Sequence, residues 1–124
     1  MLLTRRPKPS HETSFLTPKL GNLLMLRLAA FLKDSDATLR DIDEEHAVFD
    51  VGGPSFAERV FGQKFVPPVR VELTFTSLTR EEGRSWNEQV EVGVLVTAAR
   101  RHSPQFAPMA AYVCRELRGY FAAV

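Results

Sequence analysis

VRVELTFT at residues 69–76 and VEVGVLVT at residues 90–97 decide the fold. In the first, Val69, Val71, Leu73 and Phe75 alternate with Arg70, Glu72, Thr74 and Thr76. In the second, Val90, Val92, Val94 and Val96 alternate with Glu91, Gly93, Leu95 and Thr97. Successive side chains on a strand point to opposite faces, so each stretch reads as a strand with one buried and one wetter face. The polar run around Thr79–Ser85 joins them as an antiparallel pair. Gly93 marks a bulge or a close approach.

Upstream, TLRDID (38–43) and HAVFDV (46–51) read as a short hairpin, with Glu44-Glu45 as poor turn chemistry. Gly52-Gly53-Pro54 breaks the second strand, and Ser55 to Glu58 matches a capping box opening a short helix that ends near Gly62. Downstream, Pro108 sits in the first turn of a last helix that becomes regular near Ala107. Met109, Val113, Leu117, Tyr120 and Val124 are its apolar stripe, flanked by Ala110, Cys114 and Phe121.

Residues 1–18 hold three prolines and no sustained apolar period, and read as a flexible basic tail. Thr17 and Pro18 then resemble a helix start, N-cap followed by first helical residue. From Lys19 to Lys33 the helical wheel gathers Leu20, Leu24, Leu28 and Phe31 on one side, with Met25 and Leu32 beside them. Leu23 and Leu26 fall near the polar side, next to Arg27. That is more leucine than one buried face requires. It predicts either a contact with another subunit or cover by the tail.

These elements predict a single α+β domain over residues 19–124, in the order helix, strand, strand, short helix, strand, strand, helix. A four-stranded antiparallel sheet with the N-terminal and C-terminal helices on one face buries every stripe. The length, 124 residues, and an apolar share of 44% suit one domain with a real core. The apolar run Leu20–Leu32 is too short to span a bilayer and contains Arg27, so no membrane span is expected. The acid-poor start has the composition of an organelle transit peptide, but the apolar stretch behind it is needed by the fold. With one cysteine, Cys114, that favours a cytoplasmic location.

The formal net charge of +1 conceals a split. Residues 1–33 carry Arg5, Arg6, Lys8, Lys19, Arg27 and Lys33 against Glu12, a net of +5. Residues 34–50 carry Asp34, Asp36, Asp41, Asp43, Glu44, Glu45 and Asp50 against Arg40, a net of −6. A uniformly basic nucleic-acid domain is excluded, whereas electrostatic contact between oppositely charged stretches is not.

Candidate chemistry is sparse. Asp34, Asp36 and Glu45 fall at positions 1, 3 and 12 of a calcium-loop register, but Leu39 stands where that loop needs glycine. His11, His46 and His102 lack a second ligand at metal spacing, so no metal or other cofactor is expected. Gly52-Gly53-Pro54-Ser55 lacks the lysine of a phosphate loop. Arg100, Arg101 and His102, ahead of the last helix, are the better anion-binding candidates. The wetter sheet face offers no aromatic for base stacking, which argues against nucleic acid.

No catalytic residue is assigned. The sequence therefore predicts a small non-catalytic interaction domain that self-associates or binds another protein, with Leu23, Leu26 and Arg27 as the candidate surface. One alternative is an enzyme or ligand-binding domain with a pocket between helices and sheet, where His46, Asp50 and His102 are the residues to inspect. A second is weak nucleic-acid or other anion binding through Arg100, Arg101 and the basic tail.

Overall fold

The structure, a computed structural model, describes residues 8–18, 23–52, 68–82, 85–99 and 105–123, with 79–82 and 85–88 described by backbone alone. The elements are β1 (Ser10–Pro18), α1 (Leu23–Asp34), β2 (Thr38–Ile42), β3 (His46–Val51), β4 (Val69–Glu82), β5 (Ser85–Ala98) and α2 (Phe106–Tyr120). All strand pairs are antiparallel, in the order β1-β5-β4-β3-β2. The class is α+β, as expected, but the sheet has five strands rather than four.

The added strand, β1, comes from the stretch read as tail, and Thr17-Pro18 end that strand rather than start a helix. Phe15 and Thr17 supply its buried face. Thr17 is tolerated there because its hydroxyl donates to the Phe121 carbonyl. Pro18 costs no ladder bond at the end of an edge strand. The expected short helix after Gly52-Gly53-Pro54 lies outside the described residues.

β1 and β2 occupy opposite edges, so α1 carries the chain across the sheet. Twelve helical residues span roughly 18 Å, close to the ~19 Å across four strand spacings. From β2 onward the strands follow one another as a meander that ends beside β1.

The core uses the alternation in the sequence. Val71, Leu73, Val92 and Val96 are buried, while Arg70, Glu72, Thr74 and Glu91 face solvent. Leu28 and Phe31 of α1 and Met109, Val113 and Leu117 of α2 close over the same cluster. Phe31 stands edge-on to Phe49 at 5.7 Å and to Tyr120 at 5.5 Å between ring centroids. Tyr120 also donates to Asp34 at the end of α1, and that bond, with some burial, pushes the phenol up to about 12. Gly93 makes a close approach rather than a bulge: a Cβ there would lie 2.4 Å from Thr74 Oγ1, and the β4–β5 register runs unbroken.

The β4–β5 hairpin is longer than the polar run suggested, pairing through Thr79↔Glu88 to Glu82↔Ser85. β3 reaches only Thr74 of β4, and β1 reaches only Gln89 of β5. The tip is therefore a two-stranded ribbon without neighbours in the sheet. With no strand on either side, this polar and weakly alternating stretch reads as a loop in the sequence.

Both described helices end in the same capping geometry. Ala37 N–H donates to the Leu32 carbonyl (2.9 Å) and Asp36 N–H to Lys33 (3.2 Å). Ala123 donates to Arg118 (2.9 Å) and Ala122 to Gly119 (3.2 Å). The residue at the turn is left-handed in each, Asp36 at φ 55° and Ala122 at φ 51°. Alanine carries a steric penalty there that glycine does not, so Ala122→Gly should stabilise the fold by about 1 kcal/mol. An unchanged or lower urea midpoint would contradict this geometry.

Candidate functional site

Two surfaces stand out, on opposite sides of the sheet. The first is the solvent face of α1. Leu28 and Phe31 point into the core, which by the helical period turns Met25, Leu26, Ala29 and Ala30 outward. Leu26 is 64% exposed and Met25 37%. Leu23 is half-buried. Arg27 is the sole charge between Leu23 and Leu32, and its guanidinium donates to the Phe121 carbonyl at 3.1 Å. That carbonyl belongs to the end of α2, where the helix dipole favours a cation.

The second is a polar rung across the outer sheet face. Ser10 opposes Thr97, Thr97 opposes Arg70, Arg70 opposes Asp50, and Asp50 opposes Thr38. Directly opposed residues share a face, so one row crosses all five strands. Within it Asp50 accepts from Arg40 Nε at 2.7 Å and from Arg70 Nε at 3.0 Å, one bond on each carboxylate oxygen. Burial pushes the Asp50 carboxyl up, but hydrogen bonds and charge from Arg70 and Arg40 outweigh it and leave it below the ordinary carboxylate value. Beside the row lies a cleft of about 350 Å³ lined by Lys8, Asp50, Pro68, Arg70, Thr97 and Ala98.

Further along the outer face the charge reverses. Glu12, Glu72 and Glu91 are exposed and lack a basic partner among the described residues. Asp41 at the end of β2 and Asp43, Glu44 and Glu45 in the β2–β3 turn add to it, all exposed. The chemistry of the turn resides in Asp43, whose Oδ1 accepts the N–H of Glu45 (2.7 Å) and of His46 (2.8 Å). The His46 ring lies 2.7 Å from Asp43 and 3.3 Å from Asp41.

The bond to Asp43 raises the His46 pKa above its ordinary ~6.5, and the backbone donors lower that of Asp43. A raised histidine pKa contributes stability in full below the unfolded value and loses it as pH climbs through the folded one. Asp43 contributes above its unfolded value and loses this as pH falls. An NMR titration should therefore place the His46 midpoint above 6.5, and Asp43→Asn should lower it. A midpoint at or below the ordinary value would contradict the pairing.

Of the residues to inspect for the enzyme alternative, the two that are described, His46 and Asp50, do not come together. His46 and Asp50 share a face of β3 but stand roughly 13 Å apart along it, each with its own partners. His102, with Arg100 and Arg101, lies outside the described residues. The calcium-loop register is interrupted by β2, and no group of metal-ligating side chains forms among the described residues. Cys114 is buried in α2, where burial pushes the thiol up against the pull of Arg118. No helix among the described residues is long and apolar enough to cross a membrane. The pairing of Asp50 with Arg40 and Arg70 has one signal in the sequence, opposite charge on neighbouring strands. In comparisons with known proteins, the sequence matches no family model and no curated chain.

Proposed function

We propose that the protein is a non-catalytic interaction domain that associates with a second copy of itself through the outer face of α1. The reading rests on Arg27: with its guanidinium turned in to the Phe121 carbonyl, Met25, Leu26, Ala29 and Ala30 are left with no charge among them. An exposed apolar patch of this kind marks a contact surface. Residues 10–18 of the tail pair with β5 and so are not available to cover Leu26, which is exposed. A reducing compartment, the cytoplasm, belongs to the same proposal, given one buried cysteine.

The helix face is roughly 18 Å long and 10 Å wide, on the order of 200 Å². That is well below the ~800 Å² per partner of a stable standard interface. Association is therefore weak, and sedimentation velocity up to roughly hundreds of micromolar is the appropriate range. The sedimentation coefficient should rise with concentration and hold at high salt, because apolar contact is not screened. Leu26→Lys should weaken association by roughly tenfold or more. A monomer at every concentration would sink the proposal. Association lost on adding salt would instead favour contact between the basic start of one copy and the exposed acidic β2–β3 turn of another.

A further inference from the structure

We propose that the cleft between Lys8 and Asp50 on the outer sheet face binds a compact phosphate-bearing small molecule, through the Arg70 guanidinium, the Lys8 ammonium and the Thr97 hydroxyl. The three line one concavity, whose volume of about 350 Å³ is that of a small-molecule site. Asp50, its side chain only 17% exposed, holds the guanidiniums of Arg40 and Arg70 by their Nε atoms. A guanidinium has five N–H donors, so the terminal nitrogens of Arg70 remain for a ligand. Asp50 is thus a positioning residue that fixes the fork without occupying it.

Charge selects the class of ligand. Lys8, Arg40 and Arg70 against Asp50 leave a net +2 around the cleft. A phosphate monoester carries about −1.5 to −2 at neutral pH and offers three strong acceptor oxygens. A carboxylate would neutralise half as much. A polyanion is disfavoured, because Glu12, Glu72 and Glu91 occupy the same face and the acidic β2–β3 turn lies beyond β2. The site is on the opposite side of the sheet from α1, so it stands or falls independently of self-association.

Calorimetric titration with inorganic phosphate, at constant ionic strength and with chloride as the control, tests it. Binding should saturate, and Lys8→Ala and Arg70→Lys should each weaken it by roughly tenfold or more. Lys8 is exposed and precedes β1, so its replacement leaves the fold intact and keeps the test valid if the Arg70 variant is unstable. Phosphate binding no better than chloride would overturn the proposal, as would wild-type affinity in Lys8→Ala. A short single-stranded oligonucleotide that displaces phosphate at lower phosphate-group concentration would overturn the small-molecule reading.

Discussion

Phe31→Ala is expected to remove about 3–5 kcal/mol of folding stability. Phe31 is 2% exposed and touches two elements besides its own, Phe49 on β3 and Tyr120 at the end of α2. Truncation loses the transfer free energy of the ring and both edge-on contacts, and it leaves a cavity that three separately anchored elements cannot close together. A domain of this size has about 5–15 kcal/mol in total, so the variant should be largely unfolded at modest urea. Leu26→Ala, on the same helix, should change stability by less than ~0.5 kcal/mol because its side chain is already in water. Urea denaturation of the two variants measures both. A loss below ~2 kcal/mol for Phe31→Ala would mean that α1 does not seal the core.

Gly52→Ala should be nearly as costly, about 3 kcal/mol or more. Gly52 follows β3 with φ +131°, a conformation that side-chain-bearing residues rarely adopt. A Cβ there would lie 2.7 Å from the Pro68 Cα. The obstacle is backbone, so no rotamer change relieves it. Strain and collision add because the chain leaves β3 and enters β4 at one point, held by the Val51↔Val69 pair. The same displacement would disturb Asp50 and Arg70, one position inside that pair. Thermal unfolding should show the loss, and a cost under ~1 kcal/mol would contradict the close approach.

The central sheet was legible because Val69–Phe75 alternates without interruption and Val90–Val96 places a valine at every second position, and a period of two with one apolar face has few other solutions. β1 was not legible, for a physical reason. Its buried face holds Phe15 and Thr17, and Thr17 is satisfied by a carbonyl 104 positions away. No local pattern announces that bond, and Pro9 and Pro18, which bracket the strand, read as tail punctuation. The candidate surface was half legible. Surplus leucine at positions 23 and 26 pointed to α1, but the inward turn of Arg27 depends on where α2 ends. The partners of Asp50 are set by the sheet: Arg70 is its cross-strand pair on β4, and Arg40 reaches it from the irregularity in β2 between Leu39 and Asp41.

Self-association through α1 is tested most directly by a soluble paramagnetic probe, which broadens methyl signals according to their contact with solvent. In the isolated chain Leu26 is 64% exposed, more than Leu39 at 45% or Ile42 at 43%. At high protein concentration the Leu26 methyls should be spared while those of Leu39 and Ile42 broaden, and dilution should restore the order of exposure. Leu26 broadening at least as strongly as Leu39 and Ile42 at every concentration would show the α1 face free and contradict the account.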